Sequence, residues 1–144
     1  MRQEMFNGSL ETIDLSHKNL KALNGCPESV EGDFLCNSNS LINLKGNPRN
    51  IKGNFYCHRN RLTSLEGAPE KVGRVFHCDH NQLTSLEGSP RIIGGDFYCS
   101  KNELISLNGS PKEVGGNFIC WGNYRNFSEN EIRAICKVKG KIIT

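Results

Sequence analysis

Hydrophobic positions recur along this chain every 21 residues. Phe34, Phe55, Phe76, Phe97 and Phe118 form one column, and Cys36, Cys57, Cys78, Cys99 and Cys120 form another two residues later. Val30, Ile51, Val72, Ile93 and Val114 come four residues before the phenylalanines. Leu41, Leu62, Leu83 and Leu104 follow, then Leu44, Leu65, Leu86 and Leu107. Polar and turn-forming columns keep the same step: Asn39, Asn60, Asn81, Asn102 and Asn123; Gly46, Gly67, Gly88 and Gly109; and Pro27, Pro48, Pro69, Pro90 and Pro111. The unit reads V-x-x-x-F-x-C-x-x-N-x-L-x-x-L-x-G-x-P. The phase runs backwards as well, with Ile13 in the Phe column and Leu15 in the Cys column, and with Leu20, Leu23, Gly25 and Pro27 in theirs. Six coils result, the first of them partial. A unit this short cannot bury a core alone, but stacked units can, so the period predicts a solenoid.

Phe and Cys two residues apart share one face of a strand. Parallel strands are therefore predicted around Ile13–Leu15, Phe34–Cys36, Phe55–Cys57, Phe76–Cys78, Phe97–Cys99 and Phe118–Cys120, stacked about 4.8 Å apart on one face. An asparagine at each strand end can satisfy backbone groups where the chain turns inward. Gly88 and Pro90, with their equivalents, make the convex side extended or turn-like and exclude a helix there. The fold class is a repeat solenoid, mainly β, with a C-terminal capping helix. Ser128-x-x-Glu131 is a capping box, and Phe127 with Ile132 can form its hydrophobic staple. Ile132, Ile135 and Cys136 share one helical face, which predicts a helix over 129–137. The tail from Val138 to Thr144 can add a short strand. Residues 1–9, with Met5 and Phe6, plus Leu10 beyond them, supply an N-terminal cap; residues 10–126 are the solenoid; residues 127–144 are the C-terminal cap and tail.

This pattern resembles the leucine-rich repeat, whose L-x-x-L-x-L-x-x-N-x-L segment matches from Gly73 to Leu83 and in the equivalent coils. Phe76 and Cys78 stand where that family usually has leucines. The likeness spans roughly residues 10–123. It departs at the first Leu position, mostly Gly or Lys here, whose apolar role passes to Val72 and its equivalents. The chain is similar to short-repeat bacterial effectors and to small repeat proteins of tailed phages. The phage type carries stretches like Leu-Thr-Ser-Leu-Glu-Gly-Ala-Pro-Glu-Lys-Val-Gly, found here at residues 62–73. The resemblance implies a binding module, and the phage type implies an inhibitor of a host protein, such as a defence enzyme.

Composition adds little against this. The net charge is +3, and the basic residues are scattered apart from Lys137, Lys139 and Lys141, a poor case for a nucleic-acid partner. No apolar run is long enough to span a membrane, and the N-terminus lacks the apolar core of a secretion signal. A cytoplasmic location is expected, the host cytoplasm if the chain is phage-encoded. The cysteine column reads as a core ladder, since no C-x-x-C pair exists for zinc. No metal and no cofactor are expected. Cys26, in a Gly-x-Pro turn, should be the most exposed thiol.

The register also writes out the outward rows. Before Cys come Asp14, Leu35, Tyr56, His77, Tyr98 and Ile119; after it come Ser16, Asn37, His58, Asp79, Ser100 and Trp121. The next row is His17, Ser38, Arg59, His80, Lys101 and Gly122, and the row before Phe is Thr12, Asp33, Asn54, Val75, Asp96 and Asn117. His58, Asp79 and Ser100 are lateral neighbours, but a serine triad needs its histidine in the middle. His58, Asp79 and His80 could in principle hold zinc; ordinary polar surface is the simpler reading. An enzyme is not expected, and no catalytic residue is assigned. Tyr56, His77, Tyr98, Ile119 and Trp121 instead form an apolar strip on a polar sheet, the mark of an interface. Tyr56, His58, His77, Asp79, Tyr98, Ile119 and Trp121 are therefore the candidate partner-binding residues, with the large rings expected to be mostly exposed. The expected function is binding a partner protein through this strand face. The alternatives are a self-assembling structural repeat protein and a binder of a small ligand or single-stranded nucleic acid.

Overall fold

The computed structural model describes residues 11–144, so the sequence-derived N-terminal cap, with Met5, Phe6 and Leu10, lies outside the described residues. Two parallel sheets run the length of the solenoid, built from two-residue strands. The first contains Ile13–Asp14, Phe34–Leu35, Phe55–Tyr56, Phe76–His77, Phe97–Tyr98, Phe118–Ile119 and Ile142–Ile143. Successive strands pair in the register of the repeat, Phe55 opposite Phe76 and Phe76 opposite Phe97. This is the face on which the sequence places its six strands, with a seventh contributed by the tail.

The Val column does more than fill space. Ser29–Val30, Asn50–Ile51, Lys71–Val72, Ile92–Ile93, Glu113–Val114 and Lys137–Val138 form a second parallel sheet. Val and Ile are stiff at χ1 and suit extended backbone, and the stacking of coils gives each such segment a partner on both sides. Most strands of both sheets therefore bury one residue of two, while Phe118–Ile119 buries both. Phe34, Phe55, Phe76, Phe97 and Phe118 are fully buried in a continuous ring stack, with neighbouring centroids 5.0–5.8 Å apart. The cysteine and leucine columns close the core beside them. All seven cysteines are free, and Cys26 alone is half-buried rather than buried. Gly46, Gly67, Gly88 and Gly109 turn the chain at φ of 84–92°, a region that side chains resist.

At the C-terminal end the helix spans Glu129–Ile135, shorter than predicted because Cys136 is already extended, at φ −139° and ψ 132°. The capping box is formed: Ser128 Oγ accepts from the Glu131 amide at 3.1 Å, and Glu131 Oε2 accepts from the Ser128 amide at 2.9 Å. Phe127, Ile132 and Cys136 are buried in the core, whereas Ile135, expected on the same face, is 42% exposed. The early exit at Cys136 explains this, since the chain there turns into the second sheet. The tail is a seventh coil. Val138 pairs with Val114 and Ile142 with Phe118, so this coil is three residues longer than the others, and the helix takes up the excess. Lys137, Lys139 and Lys141 lie exposed on this outermost coil, where charge discourages another strand from pairing.

Candidate binding face

Two side-chain ladders and one repeated backbone conformation fix the first sheet. The asparagine column is one ladder. Asn60 Nδ2 donates to the carbonyls of Cys36 at 3.0 Å and Cys57 at 3.1 Å, and its Oδ1 accepts from the Leu41 amide at 3.0 Å. Asn81, Asn102 and Asn123 repeat these bonds one coil on each time. Each asparagine thus stitches its own coil to the one before, in the buried turn where water cannot.

The second ladder is the row before Phe. Thr12 Oγ1 accepts from the Asp33 amide at 3.2 Å, Asp33 Oδ1 from Asn54 at 2.7 Å, and Asn54 Oδ1 from Val75 at 2.9 Å. After the break at Val75, Asp96 Oδ1 accepts from Asn117 at 2.8 Å and Asn117 Oδ1 from Lys141 at 2.8 Å. Asp33 and Asp96, read from sequence as surface acids, are therefore structural acceptors. The signal was present: this row holds short side chains with an acceptor oxygen in every coil but one.

The third feature is conformational. His17, Ser38, Arg59, His80 and Lys101 all sit at φ of 52–57°, in the left-handed region, and Gly122 takes the same place in the next coil at 72°. The strand ends here and the chain must turn inward. A side chain in this conformation costs roughly 1–2 kcal/mol, a cost glycine escapes.

Between the ladders lies the aromatic strip, and its rings pack on one another. His58 stacks on His77 with centroids 4.1 Å apart and planes at 19°. Tyr56 sets its edge against both, at 6.0 and 6.1 Å, and Tyr98 tilts over His77 at 4.9 Å. His77 Nε2 lies 3.2 Å from Asp79 Oδ2, while Asp79 Oδ1 accepts from the Ser100 amide at 2.7 Å. The Tyr98 hydroxyl donates to Asp96 Oδ2 at 3.4 Å. Burial in this cluster, with His77 alongside, lowers the His58 pKa to about 4, so its ring is neutral at physiological pH. Burial and the Asp96 carboxylate raise the Tyr98 pKa.

Of the predicted site residues, Tyr56, His58, His77, Asp79 and Tyr98 come together in one half-buried cluster. The expectation that Tyr56, His77 and Tyr98 stand mostly exposed is corrected, because each ring shields its neighbours. Ile119 is buried, flanked in register by Tyr98 and Ile143, and Trp121 alone is exposed, at 45%. Lys101 Nζ sits 5.0 Å from the Trp121 ring centroid. Asp79 bonds to His77 and to the Ser100 amide; the Ser100 hydroxyl is buried and unpartnered. Among the described residues no group of three His, Cys, Asp or Glu side chains is placed to hold a metal ion.

A groove of about 520 Å³ lies elsewhere, between the 105–110 turn and the helix, lined by Ile105, Leu107, Ala134, Ile135, Lys112 and Arg125. Sequence reasoning did not find it, because it arises only where the lengthened last coil meets the turn. No protein-family model, curated protein or solved structure matches the chain.

Proposed function

We propose that this protein is a binding module that recognises a partner protein through the outer face of its first sheet. The observation that carries this reading is the ring cluster of Tyr56, His58, His77 and Tyr98, continued by Asp79, Ile119 and Trp121. The repeat does not dictate these residue types, although Asp79 also accepts from the Ser100 amide and Ile119 is buried in the sheet. Inward columns repeat because every coil fills the same core, whereas outward rows vary from coil to coil. Prepacked rings lose little side-chain freedom on docking, and Tyr and Trp are favoured anchors. No cofactor and no catalytic step enter this reading. The likeness to phage repeat proteins makes an inhibitor of a host protein, acting in the host cytoplasm, the specific form proposed. Self-assembly is disfavoured by the exposed Lys137, Lys139 and Lys141 on the outermost coil.

The test is capture of a partner by the wild type and its affinity for the Tyr98→Ala/Trp121→Ala double variant. Loss of an anchor pair should weaken binding by about 1–3 kcal/mol. Undiminished affinity in a folded double variant would move the site off this face.

A further inference from the structure

The left-handed row borders the ring cluster at the strand ends, and Arg59 and Lys101 give it positive charge. Arg59, His80 and Lys101 occupy it in three consecutive coils, stacked by the amide-to-carbonyl bonds Arg59 to Asp79, His80 to Ser100 and Lys101 to Trp121. Arg61 stands two residues beyond Arg59, on the same turn. All four side chains are exposed. In coil six the same backbone conformation is met by Gly122, the residue suited to it. His17 and Ser38 hold the same conformation in the first two coils, so the conformation belongs to the repeat, and what is particular to coils three and five is the exposed cation.

Several cations on the other faces are paired, although Lys71, Arg74 and Lys112 have no ion pair among the described residues. Arg49 lies against Glu28 at 3.9 Å, Lys52 against Glu31 at 2.9 Å, Lys45 against Glu66 at 3.6 Å, and Arg91 against Glu70 at 3.9 Å. Each pair joins neighbouring coils and balances its own charge. Among the described residues, Arg59, Arg61 and Lys101 have no ion-pair partner. The nearby acids are engaged: Asp79 by His77 and the Ser100 amide, Glu103 by the Tyr124 hydroxyl at 2.7 Å.

We infer that the ridge of Arg59, Arg61, His80 and Lys101 is a docking edge for an acidic segment of the partner protein. It rests on the protein-binding reading and extends that face over the strand ends. Unbalanced cations in a row attract an anionic partner and set its register. A nucleic acid would supply charge too, but it would need free ring faces for its bases. Here the rings of the cluster face one another, and Lys101 covers Trp121. Ile105, 62% exposed and four residues beyond Lys101 in the same coil, adds an apolar contact that suits a protein rather than phosphates.

The probes are a fluorescent peptide of alternating Glu and Leu, and a fluorescent oligothymidylate of the same length, read by anisotropy. The wild type should bind the peptide at low salt, more weakly as salt rises, and more tightly than the oligothymidylate. Arg59→Gly/Lys101→Gly should weaken peptide binding at least about tenfold, while Tm holds or rises because glycine fits the turn. Absent peptide binding by the wild type, unchanged binding in the folded glycine variant, or tighter binding of the oligothymidylate would each overturn the inference. Tyr98→Ala/Trp121→Ala separates the two readings. Binding kept there but lost in the glycine variant supports the ridge and removes the ring face from the interface; the converse removes the ridge.

Discussion

Asn81→Ala tests how the coils are held together. Asn81 is 7% exposed, and its amide serves four main-chain groups at 3.0–3.2 Å, with a fifth, longer bond to the Asp79 carbonyl at 3.3 Å. Nδ2 donates to the Cys57 carbonyl at 3.2 Å and the Cys78 carbonyl at 3.0 Å; Oδ1 accepts from the amides of Asn60 at 3.2 Å and Leu62 at 3.0 Å. Alanine leaves the Asn60 and Leu62 amides unpaired in a turn that water does not reach, while the Cys57 and Cys78 carbonyls each lose one of two bonds and keep Asn60 and Asn102 respectively. At about 1 kcal/mol for each stranded amide, the low end of the range, and about 0.5 kcal/mol for each carbonyl bond lost, the loss is about 3 kcal/mol. That is a large part of the 5–15 kcal/mol that typically holds a domain folded. Asn39 provides the internal control. It makes equivalent bonds, to the Leu15 and Cys36 carbonyls and from the Lys18 and Leu20 amides, but it is only half-buried. Water can replace its amide, so Asn39→Ala should cost about 1–2 kcal/mol. Urea unfolding followed by circular dichroism measures both, with the m-value showing whether the array still unfolds as one unit. Equal costs for the two variants, or a cost under about 1 kcal/mol for Asn81→Ala, would refute the reasoning.

Two further outcomes are expected. Ser128→Ala removes one half of the capping box and should lower stability by about 1 kcal/mol, read as a shift of the urea midpoint; an unshifted midpoint would mean that the helix start contributes nothing. His58 titrates near 6.5 when unfolded and near 4 when folded. Its neutral burial therefore contributes fully above 6.5 and is lost as pH falls from 6.5 towards 4. Unfolding midpoints between neutral pH and about pH 5 should decline in the wild type and decline less in His58→Gln; identical slopes would assign the effect to other groups.

The core was legible because it is periodic. Phe76 and Cys78 had to face inward once their spacing was seen, and the Asn81 amide had to serve a buried turn. The Val72 sheet was not read as a sheet, although a column of Val and Ile carries the β-branched signal; two-residue strands depend on neighbours in space more than on local pattern. The outward rows were legible only as to which residues sit there. Their exposure turns on rotamers, and nothing in the sequence says that His58 lies flat on His77 and shields it. The backbone of His17, Ser38, Arg59, His80 and Lys101 left little trace, since Ser, Arg and Lys are not favoured at positive φ and only the two histidines are enriched there. Gly122 was the stronger hint. Asp33 and Asp96 show the opposite failure: their chemistry fits two roles, surface charge and main-chain acceptor, and stacking geometry chooses the second.

Because each coil bonds only to its neighbours in a fixed register, the molecule has a natural unit of length. Gain or loss of one whole repeat preserves every ladder and changes the recognition face by one step of about 4.8 Å. Removing residues 63–83 would join coil three directly to coil five. Tyr56 would then meet Tyr98 and Arg59 would meet Lys101, while His77 and Asp79 disappear. A gene of this design can therefore revise what its product recognises by duplication and deletion in frame, without touching the chemistry that folds it.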